Sequence, residues 1–330
     1  MKTDSLVQTI RLLRPLLGLL LMAAIPTNAA DVLFYAVQKS QLFVQSTPDA
    51  PQLAPDNPFV FEVFVEGSGQ GQIDGADLTR PGGAATRISG DGFSFHAQSV
   101  FASLGELNSV YRNGTYRFDF DTENDFFPSA TLSLSGDTYP PAPHVANYTT
   151  AQAVNPASAF PVRWDPFTGG TFDDIVELYV YDNTDAVVYT DSGLDGTATS
   201  DTIPANTLRP GTTYPAEVIF RKSVDFEAVE YDGAFGFSFY SKTTRFTIAT
   251  TGAASNPAPT MSNPLLQPAG QFRFHIDGVA GRLYRVESTT DFGSWAPVDT
   301  ITAPAGGGFD FVDNQTPSVN SRFYRAVLLP

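Results

Sequence analysis

Short segments in which apolar and polar residues alternate restrict the fold of this chain more than any other feature. In the segment 60–66, Val60, Glu62, Phe64 and Glu66 interleave with Phe61, Val63 and Val65. In Thr115–Asp121 the aromatic residues occupy every second position. This period of two places neighbouring side chains on opposite faces of a strand. Most of these segments end at Gly, Pro, Asn or Asp, which is typical of turns between strands. The sequence therefore predicts an all-β fold.

One stretch departs from this alternation and has helical spacing instead. Between Gln98 and Tyr111 the apolar residues recur at intervals of about three or four. They are Val100, Phe101, Leu104, Leu107 and Val110. We therefore expect at most one short helical insert in the all-β chain.

Residues 1–30 have the order of an export signal. Basic residues precede an apolar run from Pro15 to Ile25, and small residues follow up to Ala29 and Ala30. A membrane-spanning helix needs roughly 20 apolar residues, which this run does not reach. We expect a signal peptide that is cleaved after Ala29 or Ala30, with an uncleaved anchor as the alternative. The mature chain would then lack a transmembrane span and be extracellular, on the cell surface or periplasmic.

Two proline-rich segments, 139–143 and 250–268, divide the mature chain. Proline withholds a ladder donor and stiffens a segment, which suits a linker. The sequence therefore predicts a β-domain over 31–140, a β-sandwich over 141–252, a linker over 253–261 and a small β-domain over 262–330.

Composition excludes several classes of function. The chain has no cysteine, which removes thiol nucleophiles, Cys-based zinc sites and iron–sulfur clusters. Its formal net charge is −16, and such a surface repels nucleic-acid phosphates. We expect no nucleic-acid partner.

The predicted middle domain contains a family resemblance. Leu208–Tyr214 resembles the Leu-x-Pro-x-Thr-x-Tyr segment of fibronectin type III domains. The resemblance implies an immunoglobulin-like β-sandwich in which Tyr214 forms a tyrosine corner, and it places Leu208 beside that corner. Trp164 would anchor the core. This fold serves many functions, so the resemblance implies no activity.

The last domain resembles the C-terminal β-domains of exported bacterial proteins. The resemblance rests on Tyr284–Asp291, on Trp295 and on the closing residues Arg322–Arg325. It implies export and a small β-domain, and it carries no assigned activity.

No catalytic or cofactor motif is present in the sequence. The three histidines are His96, His144 and His275, and none lies in a metal-binding or nucleophile motif. The segment Gly67–Gly71 lacks the lysine of a phosphate loop and is interpreted as a turn. We therefore predict no catalytic residue and no bound cofactor.

A run of carboxylates is the candidate metal site. Asp119, Asp121, Glu123 and Asp125 occupy every second position, and closely spaced carboxylates are ligands for Ca²⁺. A solvated hairpin tip explains the same residues. Paired carboxylates also serve glycosidases, but their separation is not visible in a sequence.

Aromatic side chains are the candidate ligand-binding residues. Trp295 lies near a turn, where an exposed ring stacks on a sugar, although a position in the core of the small domain is the alternative. A second candidate is the run Phe235, Phe237, Phe239 and Tyr240, which forms either one packed strand face or an exposed ridge.

Three hypotheses follow. The first is an exported, non-enzymatic binding or structural module with an extracellular protein or glycan as its partner. The second is a carbohydrate-binding protein that uses exposed aromatic residues. The third is a secreted hydrolase with its site in the N-terminal domain, which requires a pocket with convergent polar groups.

Overall fold

The computed structural model describes residues 30–126, 128–252, 259–267, 271–304, 306–313 and 321–329. The chain forms two compact units, one up to residue 253 and the other from residue 254. Strands predominate in both units, so the all-β prediction is confirmed. The export signal predicted for residues 1–30 lies outside the described residues, except for Ala30.

The first unit contains the first fourteen strands. They are β1 (Val32–Val44), β2 (Gln52–Leu53), β3 (Phe59–Gly67), β4 (Ile73–Thr79), β5 (Ala85–Ile88), β6 (Ser94–Phe101), β7 (Gly114–Thr122), β8 (Ser129–Leu134), β9 (Phe160–Arg163), β10 (Ile175–Tyr181), β11 (Val187–Asp195), β12 (Ser200–Ile203), β13 (Thr213–Glu227) and β14 (Phe235–Ala249). Its described residues also form two short helices, α1 (Leu104–Val110) and α2 (Tyr148–Ala151).

One eight-stranded sheet runs through the whole first unit. Its strand order is β11-β10-β13-β14-β1-β3-β6, and β2 pairs with β1. β1 runs parallel to β14, with Phe34–Val44 aligned against Phe235–Arg245. The strands of segments 31–140 and 141–252 are therefore joined in one sheet, and the boundary predicted at residue 140 lies inside this unit.

Two separate cores lie on the same face of this sheet. A four-stranded sheet of order β5-β4-β7-β8 covers the first core, where Tyr35 and Val63 of the large sheet meet Phe118 and Leu132. The pair β9-β12 and helix α2 cover the second core, which includes Val162, Val218 and Ile248. Each half is a β-sandwich because each covering layer buries the apolar face of part of the large sheet.

The residues implied by the fibronectin resemblance lie in the second core. Trp164 is 3% exposed and donates its indole N–H to the Ala198 carbonyl at 2.8 Å. Leu208 and Tyr214 are also buried. The Tyr214 hydroxyl accepts a 2.7 Å hydrogen bond from the backbone N–H of Arg209, which is the geometry of a tyrosine corner.

Helix α1 begins later than the spacing of apolar residues predicts. Residues 98–101 belong to strand β6, and the helix starts at Leu104. Ser103 is the N-cap, because its Oγ accepts from the Glu106 N–H, and the Glu106 carboxylate in turn accepts from the N–H of Ala102, one residue before the cap. These two bonds fix the start of the helix. No helix of the described residues is long and apolar enough to cross a membrane.

Buried polar side chains form a row on the opposite face of the large sheet. Arg221 donates from Nε and Nη2 to Glu177 Oε2 at 3.1 and 3.0 Å, and from Nη1 to Gln38. Gln38 in turn donates to Glu62. Each of these four side chains is at most 3% exposed. The row connects strands β10, β13, β1 and β3 through charged and amide groups.

The second unit is a small pair of three-stranded sheets. Its strands are β15 (Thr260–Leu266), β16 (Phe272–Asp277), β17 (Leu283–Thr289), β18 (Ala296–Thr302), β19 (Gly308–Asp313) and β20 (Phe323–Leu328). The sheets have the orders β15-β16-β19 and β18-β17-β20, and Phe274, Val286 and Phe311 pack between them. The Tyr284 hydroxyl accepts a 2.7 Å hydrogen bond from Val279 N–H, so this unit repeats the corner geometry of Tyr214.

Candidate functional site

The four carboxylates of the predicted calcium site do not converge. Asp119 and Asp121 lie on the exposed face of β7 and pair with Arg117 at 2.7 Å and Arg87 at 3.9 Å. Asp125 points elsewhere and accepts hydrogen bonds from the backbone N–H of Asp31 and from the Tyr231 hydroxyl, both at 2.6 Å. Among the described residues, no group of three or more acidic or histidine side chains is placed to hold a metal ion.

The histidines are dispersed over three environments. His96 lies against the ring of Phe64 at a centroid distance of 4.7 Å. His144 Nδ1 and Asp165 are 2.8 Å apart. His275 lies between Asp310, at 2.9 Å from Nδ1, and Asp277, at 3.3 Å from Nε2. The first two are in the first unit and His275 is in the second.

The environment of His275 predicts a raised pKa for its imidazole. The hydrogen bond with Asp310 and the nearby charge of Asp277 raise its pKa. We expect this pKa to exceed the value of about 6.5 for a free histidine, and Asp310→Asn to lower it. Folding raises the pKa of His275, so its protonated form stabilises the folded state. This contribution is complete below the pKa of the unfolded chain and is lost as the pH rises through the pKa of the folded chain.

Proton NMR titration of the imidazole C–H signals measures this directly, since the chain has only three histidines. Asp119→Asn, which removes a carboxylate of the first unit, is the control. An unchanged His275 pKa in Asp310→Asn contradicts the assignment.

The aromatic run on β14 is largely a packed strand face. Phe235, Phe237 and Phe239 share one face, and the Phe237 and Phe239 centroids are 5.8 Å apart. Phe239 and Tyr240 are fully buried, so neither is an exposed ligand-binding ring. Tyr240 points to the opposite face, into the first core. This burial arises because β14 is a central strand with neighbours on both sides.

Trp295 belongs to an exposed aromatic group in the second unit. It is half-buried, and Phe292 beside it is 60% exposed, with their ring centroids 6.2 Å apart. Phe323 is 39% exposed, and its centroid lies 4.1 Å from that of Phe292. We call Phe292, Trp295 and Phe323 the aromatic surface. None of the three is in the core cluster of this unit.

A hydrogen-bonded turn fixes the aromatic surface in place. Asp291 Oδ1 accepts from the backbone N–H groups of Gly293 and Ser294 at 2.9 and 3.2 Å, and from the Thr289 hydroxyl at 3.0 Å. These bonds hold the pKa of Asp291 below its usual range. Phe292 has a φ of +60°, an uncommon conformation for a non-glycine residue. The turn thereby holds the Phe292 ring toward solvent.

Arg325 borders the aromatic surface and shares one buried carboxylate with Arg285. The Arg325 guanidinium carbon lies 4.3 Å from the centroid of the Trp295 ring, within cation–π distance. Arg325 and Arg285 both pair with Glu287, with Nε to oxygen distances of 2.7 Å. The Glu287 side chain is 5% exposed, and the hydrogen bond from Arg325 chiefly lowers its pKa. Both arginine side chains stay at least 40% exposed.

Sequence reasoning identified Trp295 but missed Phe292 and Phe323 as its neighbours. Phe292 is next to Gly293 in a turn, where a large apolar residue is unusual, and this was an available signal. Phe323 follows Phe292 by more than thirty positions and reaches it through the pairing of β20 with β17, where Phe323 lies opposite Thr289. No local pattern indicates that pairing.

Two cavities of the first unit bear on the hydrolase hypothesis. One of about 260 Å³ lies in segment 31–140, and Arg80, Arg87 and Thr86 are the polar residues of its lining, without a histidine or carboxylate. A cleft of about 360 Å³ has apolar residues and several polar ones in its lining, among them Ser46, Asp56, Glu217, Arg245 and Thr247. There Arg245 Nε already donates to Glu217 at 2.8 Å. In these two linings no serine or threonine hydroxyl is hydrogen-bonded to a carboxylate or histidine, since Thr247 pairs with Gln152, and Glu217 with Arg245 and the Tyr181 hydroxyl. The hydrolase hypothesis stays untested.

Comparison with known proteins identifies no family. No protein-family model matches the chain, and no curated protein matches it by sequence. Matching solved structures include a tetra-tandem repeat from the extending region of a large adhesion protein. The sequence identity is 13%, the match covers 89% of this chain and 74% of that chain, and the TM-score is 0.28.

Two further matches are the FN1–FN3 domains of chicken CNTN1 and the BSP domain of a biofilm associated protein. The first has 10% identity, covers 82% of this chain and 88% of that chain, and has a TM-score of 0.20. The second has 10% identity, covers 99% of this chain and 67% of that chain, and also has a TM-score of 0.20. Matches with TM-scores this low indicate no function for this chain.

Proposed function

We propose that the protein is an exported, non-enzymatic β-sandwich module that binds carbohydrate through the aromatic surface. The observation that carries this proposal is the exposure of Phe292, which lies between Trp295 and Phe323, outside the core of the unit. Exposed aromatic rings held on a rigid turn are typical of binding surfaces rather than of folding cores. The module would act outside the cytoplasm, on the cell surface, in the extracellular space or in the periplasm.

The chemistry of the surface suits a sugar ring. One face of a pyranose presents only C–H groups, and it packs flat against an aromatic ring that loses little conformational freedom on binding. Hydroxyl groups project from the edge of the sugar and need hydrogen-bond partners. The exposed donors of Arg325 lie where such hydroxyls would reach, because Arg325 lies against the ring of Trp295.

Pre-organisation supports the same function. Glu287 holds both guanidinium groups, and the Asp291 turn holds Phe292, so few rotamers are lost when a ligand binds. The side chains would then lose little conformational entropy when a sugar binds, which favours tight binding.

Substitutions in the aromatic surface test the proposal. We expect Trp295→Ala and Phe292→Ala each to lower affinity for a bound polysaccharide at least about tenfold, because they remove the stacking rings. Phe172→Ala is the matched control, since Phe172 is an 81% exposed phenylalanine of the first unit. Affinity electrophoresis in gels containing hydroxyethyl cellulose, xylan, soluble chitosan or alginate measures the retardation.

Intrinsic fluorescence gives an independent readout. The chain has two tryptophans, so Trp164→Phe leaves Trp295 as the single reporter. Titration with oligosaccharides of a retarding polysaccharide should shift or quench this emission. The proposal fails if no polysaccharide retards the protein, or if Phe172→Ala weakens binding as much as Trp295→Ala does.

A further inference from the structure

The first described residues are held by segments that are distant in the sequence. The Ala30 carbonyl accepts a 2.6 Å hydrogen bond from Ser68 Oγ, and the Asp31 carbonyl accepts one of 2.9 Å from Ser68 N–H. The Val32 N–H donates to the Tyr231 hydroxyl at 3.3 Å. The start of β1 is therefore fixed from two sides before the strand enters the sheet.

Two carboxylates meet at this point. Asp125 Oδ2 accepts from Asp31 N–H and from the Tyr231 hydroxyl, both at 2.6 Å. The Asp31 carboxylate accepts from the Asn124 backbone N–H at 2.6 Å and from its side-chain amide at 2.9 Å. Asp31 is 3% exposed. We call Asp31, Ser68, Asn124, Asp125 and Tyr231 the N-terminal clamp.

The N-terminal clamp lacks a cation. No lysine, arginine or histidine of the described residues forms a salt bridge with Asp31 or Asp125, and their partners are neutral donors. A buried carboxylate without a counter-charge is unfavourable, so this position favours a positive group. Cleavage of the chain creates such a positive group, the α-ammonium group of the new N-terminal residue.

Ala30 distinguishes between the two candidate cleavage positions. Its side chain is part of the first core and the residue is 6% exposed. Cleavage after Ala30 would remove this buried methyl group and the carbonyl that Ser68 binds. Cleavage after Ala29 keeps both and leaves Thr27 and Ala29 as the small residues of a signal-peptidase site.

We propose that the chain is processed between Ala29 and Ala30 and that the N-terminal clamp binds the resulting α-ammonium group of Ala30. Hydrolysis by a signal peptidase consumes one water and leaves a carboxylate on Ala29 and an ammonium on Ala30. Consecutive Cα atoms are about 3.8 Å apart, so the new charge lies next to the residue whose N–H binds Asp125. This inference rests on the proposed export.

The mass of the exported protein tests the cleavage position. The full chain is expressed with its own signal in a bacterial host, and intact-mass spectrometry is applied to the protein outside the cytoplasm. We expect a chain that begins at Ala30. A chain that begins at Asp31 or at another residue overturns the processing site, whereas a protein that remains unprocessed in the cytoplasm contradicts the proposed export.

A second experiment tests the clamp without depending on export. Chains that begin at Ala30, at Asp31 and at N-acetylated Ala30 are prepared, and their thermal unfolding is compared. We expect the Ala30 chain to have a Tm several degrees above those of the other two. Asp125→Asn should remove the difference between the free and acetylated forms, and Glu123→Gln, an exposed residue of the same loop, should retain it. Equal Tm values for the free and acetylated chains overturn the clamp.

Discussion

Segment 31–140 is expected to remain unfolded when it is expressed alone, whereas 30–252 folds. In the isolated segment β1 loses its parallel partner β14 along Phe34–Val44. The first core also loses Tyr231, Ala234 and Tyr240, which come from the β13–β14 hairpin and the turn between its strands. A central strand without one neighbour exposes its unpaired N–H and C=O groups and favours aggregation.

The hairpin also contacts the covering layer of the first core. Asp225 accepts from Ser133 N–H at 2.8 Å, and the Ser238 hydroxyl donates to the Ser133 carbonyl at 2.6 Å. Far-UV circular dichroism and urea unfolding of the two fragments measure the outcome. A cooperative transition in 31–140 would show that this sandwich folds without the hairpin and would support two independent domains.

Arg221→Met is expected to destabilise the first unit by about 3–5 kcal/mol, because it leaves a buried carboxylate unpaired. Arg221 and Glu177 are 2% and 0% exposed and lie 3.0 Å apart from Nη2 to Oε2. Burial raises the pKa of Glu177, and the guanidinium of Arg221 opposes this shift. Without Arg221 the carboxylate either stays charged without compensation or takes up a proton.

The double variant Glu177→Leu/Arg221→Met is the matched control. Replacing both members of a buried ion pair with apolar residues is often close to neutral. We expect the double variant to recover only part of the lost stability, because Gln38 still loses the hydrogen bond from Arg221. Urea unfolding of residues 30–252 gives the free energy of unfolding for each variant. Equal destabilisation in the single and double variants would show that the unpaired charge of Glu177 is not the cause, and that the lost packing and the lost hydrogen bond to Gln38 are.

The fold class could be predicted because strand patterns are local. Phe59–Glu66 and Thr115–Asp121 alternate, and β3 and β7 cover them almost completely. The start of α1 was mispredicted because apolar spacing continues from β6 into the helix. The N-cap Ser103, with Glu106 three residues later, decides that start, and both residues are visible in the sequence.

The candidate site could be predicted only in part. Trp295 was identified by its position near a turn, but its exposure depends on whether the small core has room for it. Phe274, Val286 and Phe311 occupy that core, and Trp295 is left against Arg325. Phe239 and Tyr240 are buried instead. Side chains of the neighbouring strand β1 and of β3, such as Phe34 and Phe64, cover Phe239, and Tyr240 lies in the first core.

Alternation and turn residues are enough to predict the all-β class, and the segment that ends at Tyr214, three residues after Gly211, indicates the tyrosine corner. The pairing of β1 with β14, the hydrogen bond between Asp125 and Asp31 and the contact of Phe323 with Phe292 arise only when the whole chain packs. The physical reason is that a period of two defines the two faces of a strand but leaves its neighbours undefined. Partners distant in sequence are chosen by the packing of the whole unit.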